Sequence, residues 1–150
     1  MINQFFHTDD GWAGLILRVG LGCVMFPHGA QKLLGWFGGP GFSATLAAFT
    51  AKMGIPAPVA LLVIAAESFG AVALVFGFFT RLASFGILCN MVGAILLVHL
   101  PNGFFMNWFG QQKGEGVEYH LLAVSIACAL LVVGGGKWSM DREVEKMLAR

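Results

Sequence analysis

The sequence predicts an all-α membrane protein: a four-helix transmembrane bundle, up-down and antiparallel, in one domain over residues 1–150. Three observations carry this. The chain is 57% apolar and 11% charged, with a mean hydropathy of +0.78, and that share of charge is under half the roughly 25% of a soluble domain. Four apolar segments stand out, at 12–34, 59–79, 82–100 and 119–135, each near the ~20 residues a helix needs to cross the hydrocarbon core. The tryptophans Trp12, Trp36, Trp108 and Trp138 all fall at segment edges, where amphipathic rings settle among headgroups. A soluble bundle would need polar stripes at helical spacing, and these segments lack them. The near-neutral formal charge of +1 gives no sign of a nucleic-acid surface.

The elements follow in order. Residues 1–10 carry Asp9 and Asp10 and no Lys or Arg, unlike a cleaved signal peptide, so the first segment reads as a retained span. The first connection, 35–58, opens Gly-rich, and Ser43 is placed to cap a short helix. Phe42, Leu46, Phe49 and Met53 recur there at helical spacing, which predicts an interfacial helix. Thr80 and Arg81 alone join the second and third spans as a tight hairpin. The third connection, 101–118, is rich in Phe, Trp, Asn and Gly and reads as a loop on the membrane surface. Ser139 is positioned to cap a charged C-terminal surface helix over 140–149. The hairpin and tail carry Arg81, Lys137, Arg142, Lys146 and Arg150 against Lys32, Lys52 and Lys113 at the other end. That excess predicts both termini in the cytoplasm. Cys23, Cys89 and Cys128 each fall inside a span without a Cys-x-x-Cys pair, and read as small buried residues.

Ionisable and amide groups inside spans point to a site, because a charge at membrane depth normally faces the bundle interior. Arg18, Met25 and Lys32 share one face of the first span, with Gly22 and Gly29 nearly in line and His28 one turn from Lys32. Pro27 frees the Cys23 carbonyl and bends the helix. Glu67 is the one charge of the second span, and Asn90 lies within the third. Depth along the two antiparallel helices brings Arg18 and Glu67 within reach of one another, as a structural pair or part of a site. At the outer end of the bundle His28, Gln31, Lys32, His99, Asn102, Glu118 and His120 converge from three spans. Snorkelling into headgroups explains any one of them; seven together predict a binding site. No helix carries paired ligands at metal spacing, so no metal is expected.

The stretch His28-Gly29-Ala30-Gln31-Lys32-Leu33-Leu34-Gly35-Trp36-Phe37-Gly38-Gly39, with Arg18 ahead of it, resembles the DoxX family of small bacterial membrane proteins. The resemblance continues through Glu67-Ser68-Phe69-Gly70-Ala71, Gly77-Phe78-Phe79-Thr80-Arg81-Leu82-Ala83, His99-Leu100-Pro101-Asn102-Gly103-Phe104 and Gly116-Val117-Glu118-Tyr119. It implies a four-helix protein of the bacterial inner membrane and, loosely, redox work: the family takes its name from a thiosulfate:quinone oxidoreductase subunit.

The leading expectation is a membrane subunit or small enzyme of quinone-linked oxidoreduction. A quinone needs donors for two carbonyls, a proton source and an apolar groove. His28, Lys32 and Gln31 supply donors; Glu118 and His120 relay protons; Arg18, Glu67, Asn90, His99 and Asn102 complete the ligand-binding set. The chain shows no nucleotide, flavin, haem or iron–sulfur motif, so electrons would come from a redox partner protein or a small reductant such as thiosulfate. Two readings of other classes remain open. One is a non-enzymatic scaffold of a membrane redox or stress complex, its polar groups only locking helices. The other is a transporter or channel, which with four spans would need a homo-oligomer.

Overall fold

A computed structural model describes residues 6–149. Arg150, one of the charges behind the expected orientation, and residues 1–5 lie outside them. Among the described residues every regular element is helical. Helix α1 is Trp12–Leu34, α2 Gly41–Ala47, α3 Ala57–Phe76 and α4 Thr80–Ala94; then come α5, Glu118–Val133, and α6, Met140–Leu148. A π-helical turn, Ile95–His99, and a 3-10 turn, Leu100–Asn102, prolong α4, so that the apolar rod runs Thr80–Asn102. Three helices, Trp12–Leu34, Ala57–Phe76 and Thr80–Asn102, are long and apolar enough to cross a membrane. The fourth, α5, is apolar but has 16 residues, about 24 Å at the helical rise.

The four apolar helices pack antiparallel. Helix α1 lies along α3, α3 along α4, α4 along α5, and α5 returns to α1. Leu21, Met25, Leu74, Ile87, Met91 and Leu130 fill the axis. The outward faces are apolar as well: Ile16, Leu62, Phe69, Leu96, Leu122 and Val132 are all exposed. An apolar surface of that extent fits lipid better than water. The four tryptophans are also exposed, at the ends of helices or in connections, as the interfacial reading expects.

Small residues set the distance between α1 and α3. A Cβ at Gly22 would stand 2.8 Å from the Ala71 carbonyl oxygen, and one at Gly29 2.4 Å from that of Glu67. Any larger residue at either position forces the helices apart. These glycines therefore serve helix contact, and the Gly22/Gly29 face leaves no room for a ligand.

Several boundaries differ from expectation for identifiable reasons. Gly77, in a left-handed conformation at φ 66°, ends α3. The Asp141 carboxylate then accepts hydrogen bonds from the backbone N–H of Phe79 (2.7 Å) and Thr80 (2.8 Å), so α4 begins at Thr80. The hairpin is thus residues 77–79, while Thr80 and Arg81 belong to the helix. Helix α2 starts at Gly41, behind Pro40, with Ser43 inside it rather than capping it. It continues into a π-helical turn, Ala48–Lys52, so a short helix lies in the expected place. Ser139 does cap the C-terminal helix, its Oγ accepting from the Arg142 N–H. The cysteines are not buried: all three are free thiols on exposed faces.

Arg18 is the most deeply buried charge, at 1% exposure, and its partners are backbone oxygens. Its Nε donates to Gly135 (2.8 Å), its Nη1 to Leu74 (3.0 Å) and Val75, and its Nη2 to Lys137 (3.2 Å) and Trp138 (3.1 Å). The expected contact with Glu67 does not form. Gly29, not Arg18, stands level with Glu67 on α1, and Arg18 is eleven residues nearer the N-terminus, about 16 Å along the helix. Asp141 adds a stabilising negative charge near the guanidinium. Arg81 repeats the device, donating to the carbonyls of Leu131, Val132 and His7. Replacing Arg18 by Met removes the donor from carbonyls at the end of α3 and in the segment after α5. R18M should lower the melting temperature in mild detergent by roughly 10 °C, from a loss of about 3–5 kcal/mol. R18K should recover little, since one ammonium cannot span five acceptors. An R18M protein that melts like the parent would remove the clasp from the account.

Candidate functional site

The second polar cluster lies toward the opposite end of the bundle, where α1 and α4 end and α3 and α5 begin. Its centre is Glu67, 5% exposed. Lys32 Nζ, one α1 turn beyond Gly29, forms an ion pair with Glu67 Oε2. Asn90 Nδ2, from α4, donates to Glu67 Oε1 at 2.5 Å. Three helices thus meet on one carboxylate. Ser68 Oγ donates to the Gly29 carbonyl at 3.1 Å, pinning α1 to α3 where they come closest.

Beside this centre stands a row of rings. His28 and Tyr119 lie 6.1 Å apart between ring centroids, Tyr119 and His120 5.2 Å, and His120 and His99 4.0 Å. His120 is buried. The Glu115 carbonyl holds His99 Nδ1 at 2.8 Å and accepts from Asn102 Nδ2 at 3.1 Å. The loop bearing Glu115 is itself braced, its carboxylate accepting from the Asn107 N–H. Among the described residues no three His, Cys, Asp or Glu side chains are grouped to hold a metal ion.

The expected outer cluster therefore divides. Lys32, His28, His99 and His120 come together, with Glu67 and Asn90 joining them. Gln31 turns away and donates to the Phe37 carbonyl in the first connection. Asn102 braces the loop. Glu118 accepts from Trp108 Nε1 at 3.0 Å, so it is Glu67, not Glu118, that pairs with Lys32. Arg18 belongs to the clasp at the other end. Sequence reasoning passed over Tyr119, the chain's one tyrosine; its place between Glu118 and His120 at the start of a span was the available signal.

A groove of about 1380 Å³ leads to this cluster along the α3–α4 face. Its walls include Leu62, Phe69, Phe76, Phe85 and Leu97, and His28, Lys32, Glu67, Asn90, Tyr119 and His120 also line it. A second groove of about 500 Å³, walled by Phe104, Trp108 and Leu122, shares Met106 and Tyr119 with the first.

The DoxX family model matches residues 13–100, from the clasp through α4 to His99. The chain belongs to the DoxX family. A protein of Bacillus subtilis (strain 168) named "Putative oxidoreductase CatD" is 32% identical over 116 residues, covering 77% of this chain and 76% of that protein. No solved structure matches the chain. The DoxX match spans Arg18, His28, Lys32, Glu67, Asn90 and His99, whereas Tyr119 and His120 lie beyond it.

Removing one member of the Lys32–Glu67 pair strands the other in a low-dielectric interior. K32M alone should destabilise this DoxX protein by about 3–5 kcal/mol, and the K32M/E67Q double variant should recover most of that loss. Melting in detergent measures it. Additive losses would mean the two side chains act independently.

Proposed function

We propose that this DoxX protein is a membrane subunit or small enzyme of quinone-linked oxidoreduction, binding a quinone or similar oxygen-bearing ligand at the Glu67 cluster. The observation that carries the reading is the groove. It is apolar along its length and polar at one end, which is the pattern of a molecule with a hydrocarbon tail and an oxygen-bearing head. His28 and Lys32 are the donors nearest the head, and His99 and His120 stand together beside it with their rings 4.0 Å apart. Glu67 and Asn90 hold Lys32 in place. The quinone would supply the two-electron chemistry; this chain binds the head, excludes water and holds protons. Electrons would come from a partner protein or a small reductant. The oxidoreductase name of the Bacillus relative supports the same class. The dense pairing around Glu67 favours a second reading, a scaffold whose polar groups serve only to lock the helices. A short-chain quinone should bind the purified protein with its co-purifying partners. H28A and K32M should weaken that binding at least tenfold. Absence of binding and of turnover in the parent would end the quinone reading in favour of the scaffold.

The membrane setting belongs to the same proposal. Four crossings of the bacterial inner membrane, α5 as the fourth, put the hairpin and α6 in the cytoplasm and the 35–56 and 103–117 connections outside. The short α5 is completed by the aromatic loop before it. Single cysteines in 41–52 and 109–115, on a Cys-free background, should react with an impermeant thiol reagent in whole cells. Labelling of the tail instead would invert the orientation.

A further inference from the structure

We propose that Tyr119 is the hydrogen-bond donor that recognises the ligand, and that the ligand is uncharged at the oxygen it presents. This rests on the proposed ligand site and names what the site selects.

Two observations meet here. The Tyr119 hydroxyl is buried and has no hydrogen-bond partner among the described residues, although its ring borders both grooves. A buried hydroxyl left without an acceptor is costly, and more so where lipid replaces water. The carboxylate in its neighbourhood is already engaged: Glu67 Oε1 takes Asn90 and Oε2 takes Lys32. An acceptor oxygen brought in along either groove would satisfy the phenol without disturbing that arrangement.

The charge of the acceptor follows from the same ion pair. Lys32 and Glu67 cancel, so the pair offers no net charge to a small ion. An anion at Tyr119 would face the Glu67 carboxylate with Lys32 already committed, and a cation would face Lys32. Either would also have to leave water for an apolar groove. A neutral carbonyl meets neither obstacle and gives the unpaired Tyr119 hydroxyl an acceptor. The site therefore selects a neutral carbonyl-bearing amphiphile, and a small anionic reductant such as thiosulfate binds elsewhere.

The test is equilibrium binding to the detergent-solubilised full chain of three probes: a short-chain isoprenoid benzoquinone, an alkyl-chain aryl ketone and thiosulfate. Each is measured for the parent and for Y119F, which removes only the hydroxyl. Y119F should weaken both neutral probes about tenfold. The ligand-free protein should melt at the same temperature or higher, because the unpaired group is gone. Thiosulfate should not compete with the neutral probes. Equal affinity of parent and Y119F, or a lower ligand-free melting temperature in Y119F, overturns the assignment, the latter by revealing an internal bond. Competition by thiosulfate overturns the charge selection. If the ketone binds through Tyr119 and the quinone does not, the quinone reading falls and this inference stands. If neither neutral probe binds the parent, both fall.

Discussion

The bundle depends on one guanidinium. A helix ends with four backbone carbonyls unpaired, and within a membrane water is not there to meet them. Arg18 gathers two oxygens from the end of α3, Val75 and Leu74 (which also accepts from the Gly77 N–H), and three from the segment after α5. Only a planar fork with five donors can serve so many acceptors from one buried position. Glycine at 77, where a Cβ would stand 2.9 Å from the Arg18 Cζ, is what leaves room for it. Asp141 completes the arrangement from the other side, capping α4 while offsetting the arginine's charge.

Because this end is locked by main-chain contacts, the opposite end is free to carry side-chain chemistry. There the helices are joined through Glu67, Lys32 and Asn90, and by the Ser68 contact to Gly29. The two ends differ in kind. One is a closed set of backbone partners from which a ligand gains nothing. The other is a chain of titratable rings bordering two grooves, with a phenol between them. Close packing at Gly22 and Gly29 keeps the two ends in a fixed register along α1 and α3.

Much of this was legible in the sequence. Segment length and tryptophan placement located the apolar helices to within a few residues, because both follow directly from membrane thickness. Charges at Arg18, Glu67 and Lys32 were recognisable as interior, since exposure to lipid would be prohibitive. Their partners were not. Depth along an ideal helix put Arg18 beside Glu67, but register is set by where glycines let backbones touch, and that required the packed structure. Backbone carbonyls are invisible as partners in a sequence, so Arg18 was sought a carboxylate it does not have. The hairpin was misplaced because its end, where α4 begins, is fixed by the Asp141 carboxylate 61 residues beyond Thr80. The cysteines were read as buried on residue type alone, although a membrane protein exposes apolar side chains on its outer faces.

The clasp has a consequence for biosynthesis. Residues 135–141, which supply three acceptors to Arg18 and the cap to α4, leave the ribosome after all four apolar helices have been made. Until then Arg18 lacks three of its five acceptors, and the first turn of α4 lacks its carboxylate. The early helices are thus inserted in a loosely joined state, and the arrival of the last segment draws them together. A chain that ends before Gly135 therefore carries a first helix whose arginine lacks its Gly135, Lys137 and Trp138 acceptors.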